Sequence, residues 1–131
     1  MCANKRGVIY ATEHASIKIG DNVGMSSTVL WAHNKIVIGN YVKIGGNCIL
    51  IDTDAHNLDF SIRRGQYTDW GESAPIVVED DAFIGANCII LKGVTIGARS
   101  IIAAGSVVTK SIPADCVAGG NPARVIRQLS K

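Results

Sequence analysis

The sequence predicts an all-β chain wound into a three-sided parallel coil that is breached once by an extruded loop. Three observations carry this expectation. Aliphatic residues recur every six positions, and a mostly small residue stands four places after each of them. The pattern fails conspicuously at one place, "DTDAHNLDF" (52–60), where Asp52, Asp54, His56 and Asp59 interrupt it.

The leading aliphatic positions are Ile19, Met25 and Trp31; then Ile38, Ile44 and Leu50; then Val78, Ile84, Ile90, Ile96, Ile102 and Val108. A six-residue period is neither the 3.6 of a helix nor the 2 of a strand, so it reads as a repeat. The residue four places on is Val23, Val29, Val42, Cys48, Ala82, Cys88, Val94, Ser100 or Ser106. Gly often follows the lead and Asn often stands two further on, and both tolerate the left-handed backbone of a tight corner. Six residues thus make one short strand plus a corner, and three such units close a coil of 18 residues. Successive coils pair as parallel strands about 4.8 Å apart and bury their interiors only against one another. A sandwich of short strands would instead need period-2 alternation and hairpin turns, and neither is evident.

The lead-to-lead distance is 19 residues from Ile19 to Ile38 and 40 from Ile38 to Val78. Taken as whole coils of 18, the second is two coils plus four. Cys48 and Cys88 are then two coils apart, about 9.6 Å by the strand spacing, beyond the roughly 7 Å limit for a disulfide.

Composition agrees with a narrow aliphatic core, because aromatic residues are only 5% of 131. That length fits one domain. Eight acids face two arginines between Asp52 and Asp81, whereas from Ala82 onward six bases face only Asp115. The later bases are spread out without interleaved aromatics, which suits a small phosphorylated ligand better than nucleic acid. Cys2, Cys48, Cys88 and Cys116 form no CxxC pair and read as buried thiols of a reducing, cytoplasmic compartment. No apolar run reaches the roughly 18 residues of a membrane span, and the N-terminal stretch lacks the apolar core of a signal peptide.

The stretch "IGANCIILKGVTIGARSIIAAGSVVTKSIPADCVAGGNPARVIR" (84–127) resembles the hexapeptide-repeat acyltransferases. The resemblance covers about residues 17–127 and is closest to sugar O-acetyltransferases of galactosides, maltose and surface polysaccharides. It implies a left-handed parallel β-helix, a homotrimer with sites between subunits, acetyl-CoA as co-substrate and no metal. It also implies transfer of acetyl to a sugar hydroxyl in polysaccharide assembly.

In those families a histidine just before an extruded loop is the catalytic base, and His56 matches it. The chemistry favours imidazole, which takes the hydroxyl proton at neutral pH and returns it to the leaving thiolate. Continuing the hexads would put Asp54 in a dry slot, an expensive place for an unpaired carboxylate, so the chain leaves the coil here and a loop runs over about 57–75. Asp54 or a backbone carbonyl would orient the imidazole, and backbone near Gly85 and Ala86 would meet the oxyanion. Where the galactoside type has an acceptor-site asparagine, this chain has Met25 or Ser26; Ser26 still offers a hydroxyl. Matching the coenzyme groove are Ala86, Ala104, Thr109, Lys110, Arg124 and Arg127. The tail "GGNPARVIRQLSK" (119–131) leaves the repeat. With Asn121 as N-cap and Pro122 as first residue it reads as a short C-terminal helix, and Arg124 and Arg127 share one face for phosphate.

Three other readings stand beside this one. A γ-type carbonic anhydrase needs two histidines five apart plus a third, whereas His14, His33 and His56 are 19 and 23 apart. A non-catalytic assembly subunit would not need His56, the loop and the basic tail. A sugar N-acetyltransferase of the same family differs little in chemistry.

Overall fold

The computed structural model describes residues 6–65 and 69–130. The chain winds as a parallel β-solenoid with three faces. The first coil contains β1 (Val8–Ala11), β2 (Ser16–Ile19) and β3 (Gly24–Met25), and the second β4 (Val29–Ala32), β5 (Lys35–Ile38) and β6 (Lys43–Ile44). The third starts with β7 (Ile49–Ile51), leaves for a loop carrying the short helix α1 (Phe60–Gly65), and resumes as β8 (Ile76–Val78) and β9 (Phe83–Ile84). Then follow β10 (Ile89–Ile90), β11 (Thr95–Ile96), β12 (Ile101–Ile102), β13 (Val107–Val108), β14 (Cys116–Gly120) and β15 (Ala123–Gln128). β1-β4-β7-β10-β13 form the first face, β2-β5-β8-β11 the second and β3-β6-β9-β12-β14-β15 the third.

Aliphatic residues of successive strands point into the prism. Leu30, Leu50, Ile76, Val78, Ile84, Ile90, Ile96, Ile102 and Val108 are all fully buried, each worth about 1.5–3 kcal/mol relative to exposure. Three residues after such a lead, the backbone at Asn22, Tyr41, Asn47, Asp81, Asn87, Gly93, Arg99, Gly105 and Asp115 takes positive φ. For the non-glycine members this costs about 1–2 kcal/mol each. The return is a reversed amide. The N–H groups of Tyr41, Asp81, Asn87, Arg99, Gly105 and Asp115 point back to carbonyls of the preceding coil at 2.8–3.0 Å.

The structure corrects four sequence expectations. Leu30, not Trp31, occupies the inward position and pairs with Leu50, because the corner between β3 and β4 is one residue short and Thr28 fills the small slot opposite Cys48. The 40 residues from Ile38 to Val78 are one coil plus the loop, since β5 pairs directly with β8 and β7 with β10. Cys48 and Cys88 are therefore on adjacent coils, about 4.8 Å apart by strand spacing and inside the Cα window of a disulfide. Both are free thiols: Cys48 donates to the Gly85 carbonyl (3.1 Å) and Cys88 to that of Ala103 (3.2 Å). Contact with Cys88, then burial, holds Cys48 above the ordinary thiol range. Cys2 lies outside the described residues.

The loop also leaves earlier than expected, at Thr53, which bridges to Ser73. Finally, the C-terminal helix is not formed. β14 turns back at Gly120–Pro122 into β15, which pairs antiparallel with it. The free edge of the third face needs partners for its N–H and C=O groups, and "ARVIRQ", with Val125 and Ile126 at its centre, is well suited to a strand. Arg124 and Arg127, three apart, would face opposite ways in a regular strand. A bulge opposite Val117/Ala118 intervenes, so they pair with Gly119 and Val117 and lie on the outer face together.

Candidate functional site

The loop emerges at the corner between the first and second faces, and its neck is built around one buried charge. Asp52 is completely buried, and its carboxylate accepts hydrogen bonds from the backbone N–H groups of His33, Asn34 and Lys35 at 2.7, 2.8 and 2.7 Å. In an uninterrupted coil such amides meet carbonyls of the next coil, as Gly39 N–H meets Val78. Here the next coil has left, and Asp52 supplies the acceptors in its place. Sequence reasoning set the burial problem at Asp54; it is Asp52 that is buried, and it is satisfied.

Above Asp52 the neck is a short antiparallel ladder. Ala74 N–H donates to the Asp52 carbonyl (3.0 Å) and Asp54 N–H to that of Glu72 (2.9 Å). The Thr53 hydroxyl donates to the Trp70 carbonyl (3.0 Å) and accepts from Ala55 N–H (3.0 Å). Gly71, at φ 70°, lies against His56: a Cβ there would sit 2.4 Å from the His56 carbonyl oxygen. His56 is exposed at the outer end of this neck, three residues beyond the point where the chain departs. Further out, Asp69 accepts from the Asn57 amide (2.9 Å) and from Gly71 N–H (2.9 Å), and Asp59 accepts from Ser61 N–H (2.8 Å) at the start of α1.

The Asp54 carboxylate turns to Lys92, on the same corner one coil later, with Nζ 2.8 Å from Oδ1. No hydrogen bond joins it to His56 among the described residues, and its Oδ2 is buried without a partner there. The other such atom is His33 Nδ1, also at this corner.

The remaining expected residues fall on two edges of the prism. Thr109 and Lys110 follow β13, on the loop-bearing edge with Asp54 and His56 but at its far end. Ser26, Ala86 and Ala104 follow β3, β9 and β12, on the edge between the third and first faces. Arg124 and Arg127 extend the third face. On the small-residue edge the coils stack closely. A Cβ on Gly45 would lie 2.7 Å from Ala86 N, and one on Gly85 2.7 Å from Ala104 N. Gly85 N–H is engaged by the Ile102 carbonyl (2.8 Å), which removes it as an oxyanion donor and leaves the amide of Ala86. The two edges do not meet within one chain.

Sequence reasoning missed Asp52 as the structural acceptor, Lys92 as the partner of Asp54, and the grouping of Tyr10, Trp31, His33 and Trp70. The one available signal was that Asp52 follows the last regular strand directly. His33 is half-buried and accepts from Trp31 Nε1–H (2.9 Å). Among the described residues no three His, Cys, Asp or Glu side chains are grouped to hold a metal ion, and no helix is long and apolar enough to cross a membrane.

Residues 75–110 match the family described as the hexapeptide repeat of succinyl-transferase. A hexapeptide-repeat-containing acetyltransferase of Vibrio cholerae, solved with acetyl coenzyme A, superposes on 97% of this chain and 72% of its own at 36% identity and a TM-score of 0.80. A maltose O-acetyltransferase of Clostridium difficile superposes on 97% and 70% at 30% identity and a TM-score of 0.80. A 2,3,4,5-tetrahydropyridine-2,6-dicarboxylate N-acetyltransferase of Staphylococcus aureus is 49% identical over 59 residues, 45% of this chain and 25% of the relative. The chain spans less than half the length of the curated relatives it matches. The winding, the extruded corner and these likenesses agree: the chain belongs to the hexapeptide-repeat acetyltransferases.

Proposed function

We propose that this protein transfers acetyl from acetyl-CoA to a hydroxyl of a sugar, with His56 as general base. The observation that carries this reading is the placement of His56, an exposed imidazole at the neck of the extruded loop, in a chain whose fold matches the Vibrio cholerae acetyltransferase along nearly its whole length. His56 takes the acceptor's hydroxyl proton as its oxygen attacks the thioester carbonyl, then returns that proton to the departing thiolate, so that ester and free coenzyme A result. The Ala86 amide faces the developing oxyanion. Asp54, held by Lys92, fixes the neck beneath His56.

Because Ser26, Ala86 and Ala104 stand on a different edge from His56, a complete site needs a second copy that lays its small-residue edge beside the loop of the first. A cyclic homotrimer satisfies every chain in this way. The pantetheine runs over Ala86 and Ala104, where short side chains admit it, Arg124 and Arg127 meet phosphate, and Thr109 and Lys110 come from the loop-bearing edge of the adjoining copy. The setting is cytoplasmic surface-polysaccharide assembly, where acetyl-CoA and sugar acceptors coexist.

The test is release of free thiol from acetyl-CoA over a panel of sugars and nucleotide sugars. His56→Ala should lower turnover about 100- to 10,000-fold while the oligomer stays intact; a variant that turns over at the native rate removes His56 from the chemistry. The likeness to the Staphylococcus aureus N-acetyltransferase supports a second reading, transfer to an amine, and amino sugars in the same panel distinguish it.

A further inference from the structure

Aromatic residues make up 5% of the chain, yet both of its tryptophans stand at one place, the corner just below the loop. Tyr10 packs on Trp31 with ring centroids 4.5 Å apart, and His33 meets Trp70 edge to face at 5.0 Å. Core packing explains neither Trp31, which lies outside the prism, nor Trp70, which is 52% exposed. Beside Trp70 a cleft of about 390 Å³ opens, lined also by Thr12, Glu13, His14, Thr53 and Ser73. That volume lies in the range of small-molecule sites, which combine an apolar wall with a few placed polar groups.

We infer that this cleft holds one pyranose ring of the acceptor, laid against Trp70. The inference rests on the sugar-directed acetyl transfer proposed above. A pyranose presents C–H groups on its faces and hydroxyls at its rim, and the cleft offers the matching surfaces. Trp70 supplies the broad apolar wall, held in place because Thr53 Oγ1 donates to its carbonyl and His33 braces its ring. Around the rim stand the carboxylate of Glu13, the imidazole of His14 and the hydroxyl of Ser73; the last accepts from Asn34 Nδ2 at 3.3 Å and keeps its own proton for a ligand. Among the described lining residues there is no Lys or Arg, and Glu13 adds negative charge, so the bound moiety is a neutral glycosyl unit and not a diphosphate. Gly71 joins the cleft to the chemistry, because it lines the cleft and touches the backbone of His56.

Isothermal titration of the full chain with maltose and with the methyl glycosides of glucose, galactose and N-acetylglucosamine tests this. At least one of these should bind saturably and shift the tryptophan fluorescence, since Trp70 lines the cleft and Trp31 hydrogen-bonds to His33, which also lines it. Trp70→Ala should weaken that sugar about tenfold or more, and Trp70→Phe, which keeps an aromatic wall, by no more than about threefold. No saturable binding by any of the four, or native affinity in Trp70→Ala, overturns the inference. Acetyl-CoA turnover without Trp70-dependent sugar binding sinks this inference alone; Trp70-dependent binding without turnover sinks the acetyl-transfer reading and leaves the cleft a sugar site.

Discussion

Two corners of the same solenoid behave differently. Between the third and first faces, the spacing from one inward residue to the next is 5, 6, 6 and 6 residues on successive coils. Between the first and second faces it is 10, 8, 28, 6 and 4. The first corner is made of small residues whose backbones stack too closely for side chains to intervene. The second carries His14, His33, the loop with His56, and Lys92, and holds both buried polar atoms without described partners. A solenoid can vary at one edge without unwinding, because the other two keep the coils in register. The loop and the polar side chains stand where register is not needed.

The comparison is broken most sharply at Asp52, the group that lets the variable corner open. Asp52→Ala leaves three part-buried backbone amides without their acceptor, at up to about 1–3 kcal/mol each. A loss of about 3 kcal/mol or more is expected in urea unfolding, with Asp52→Asn retaining part of it. A loss below about 1 kcal/mol would mean that the next coil, not this carboxylate, holds the corner.

A smaller effect contrasts the two edges with one substitution. Gly85→Ala puts a methyl 2.7 Å from backbone nitrogen that cannot move aside, and should cost about 1–3 kcal/mol. Gly65→Ala, at the end of α1 with nothing within 4 Å, should be neutral or stabilise the helix by up to about 1 kcal/mol. Thermal unfolding of the two variants gives the comparison directly, and equal shifts would refute the difference in tightness.

The smallest effect is acid sensitivity within the loop. Hydrogen bonds from Ser61, side chain first and then backbone, hold Asp59 below the ordinary carboxylate range. A depressed folded pKa gives a contribution that is present above the unfolded value and lost as pH falls through the folded one. The Ser61 and Ile62 amides should therefore lose exchange protection on acidification below about pH 4, before the coil amides do. Simultaneous loss would show that the loop has no local equilibrium of its own.

Much of this was legible in advance, and the failures have a common cause. The inward positions from Val78 to Val108 were readable because each hexad repeats its neighbours. Trp31 was misread because a corner one residue short shifts the pattern without ending it. The C-terminal strand was misread because Asn121–Pro122 resembles a helix start, while the unpaired edge of the third face, invisible locally, recruits the tail as a strand.

What the sequence determined alone is the winding: a period of six with inward aliphatic residues, small corners, and the stretch around Asp54 and His56 where the chain leaves the coil. Only the tertiary structure decided which coil follows the loop, and with it the apposition of Cys48 and Cys88, the cradle around Asp52, the turning of Asp54 to Lys92 and the gathering of the tryptophans. The physical reason is that period and polarity are local properties of a few residues. Pairing across an interruption depends on where the chain returns, and hydrogen bonding and burial across the whole prism settle that.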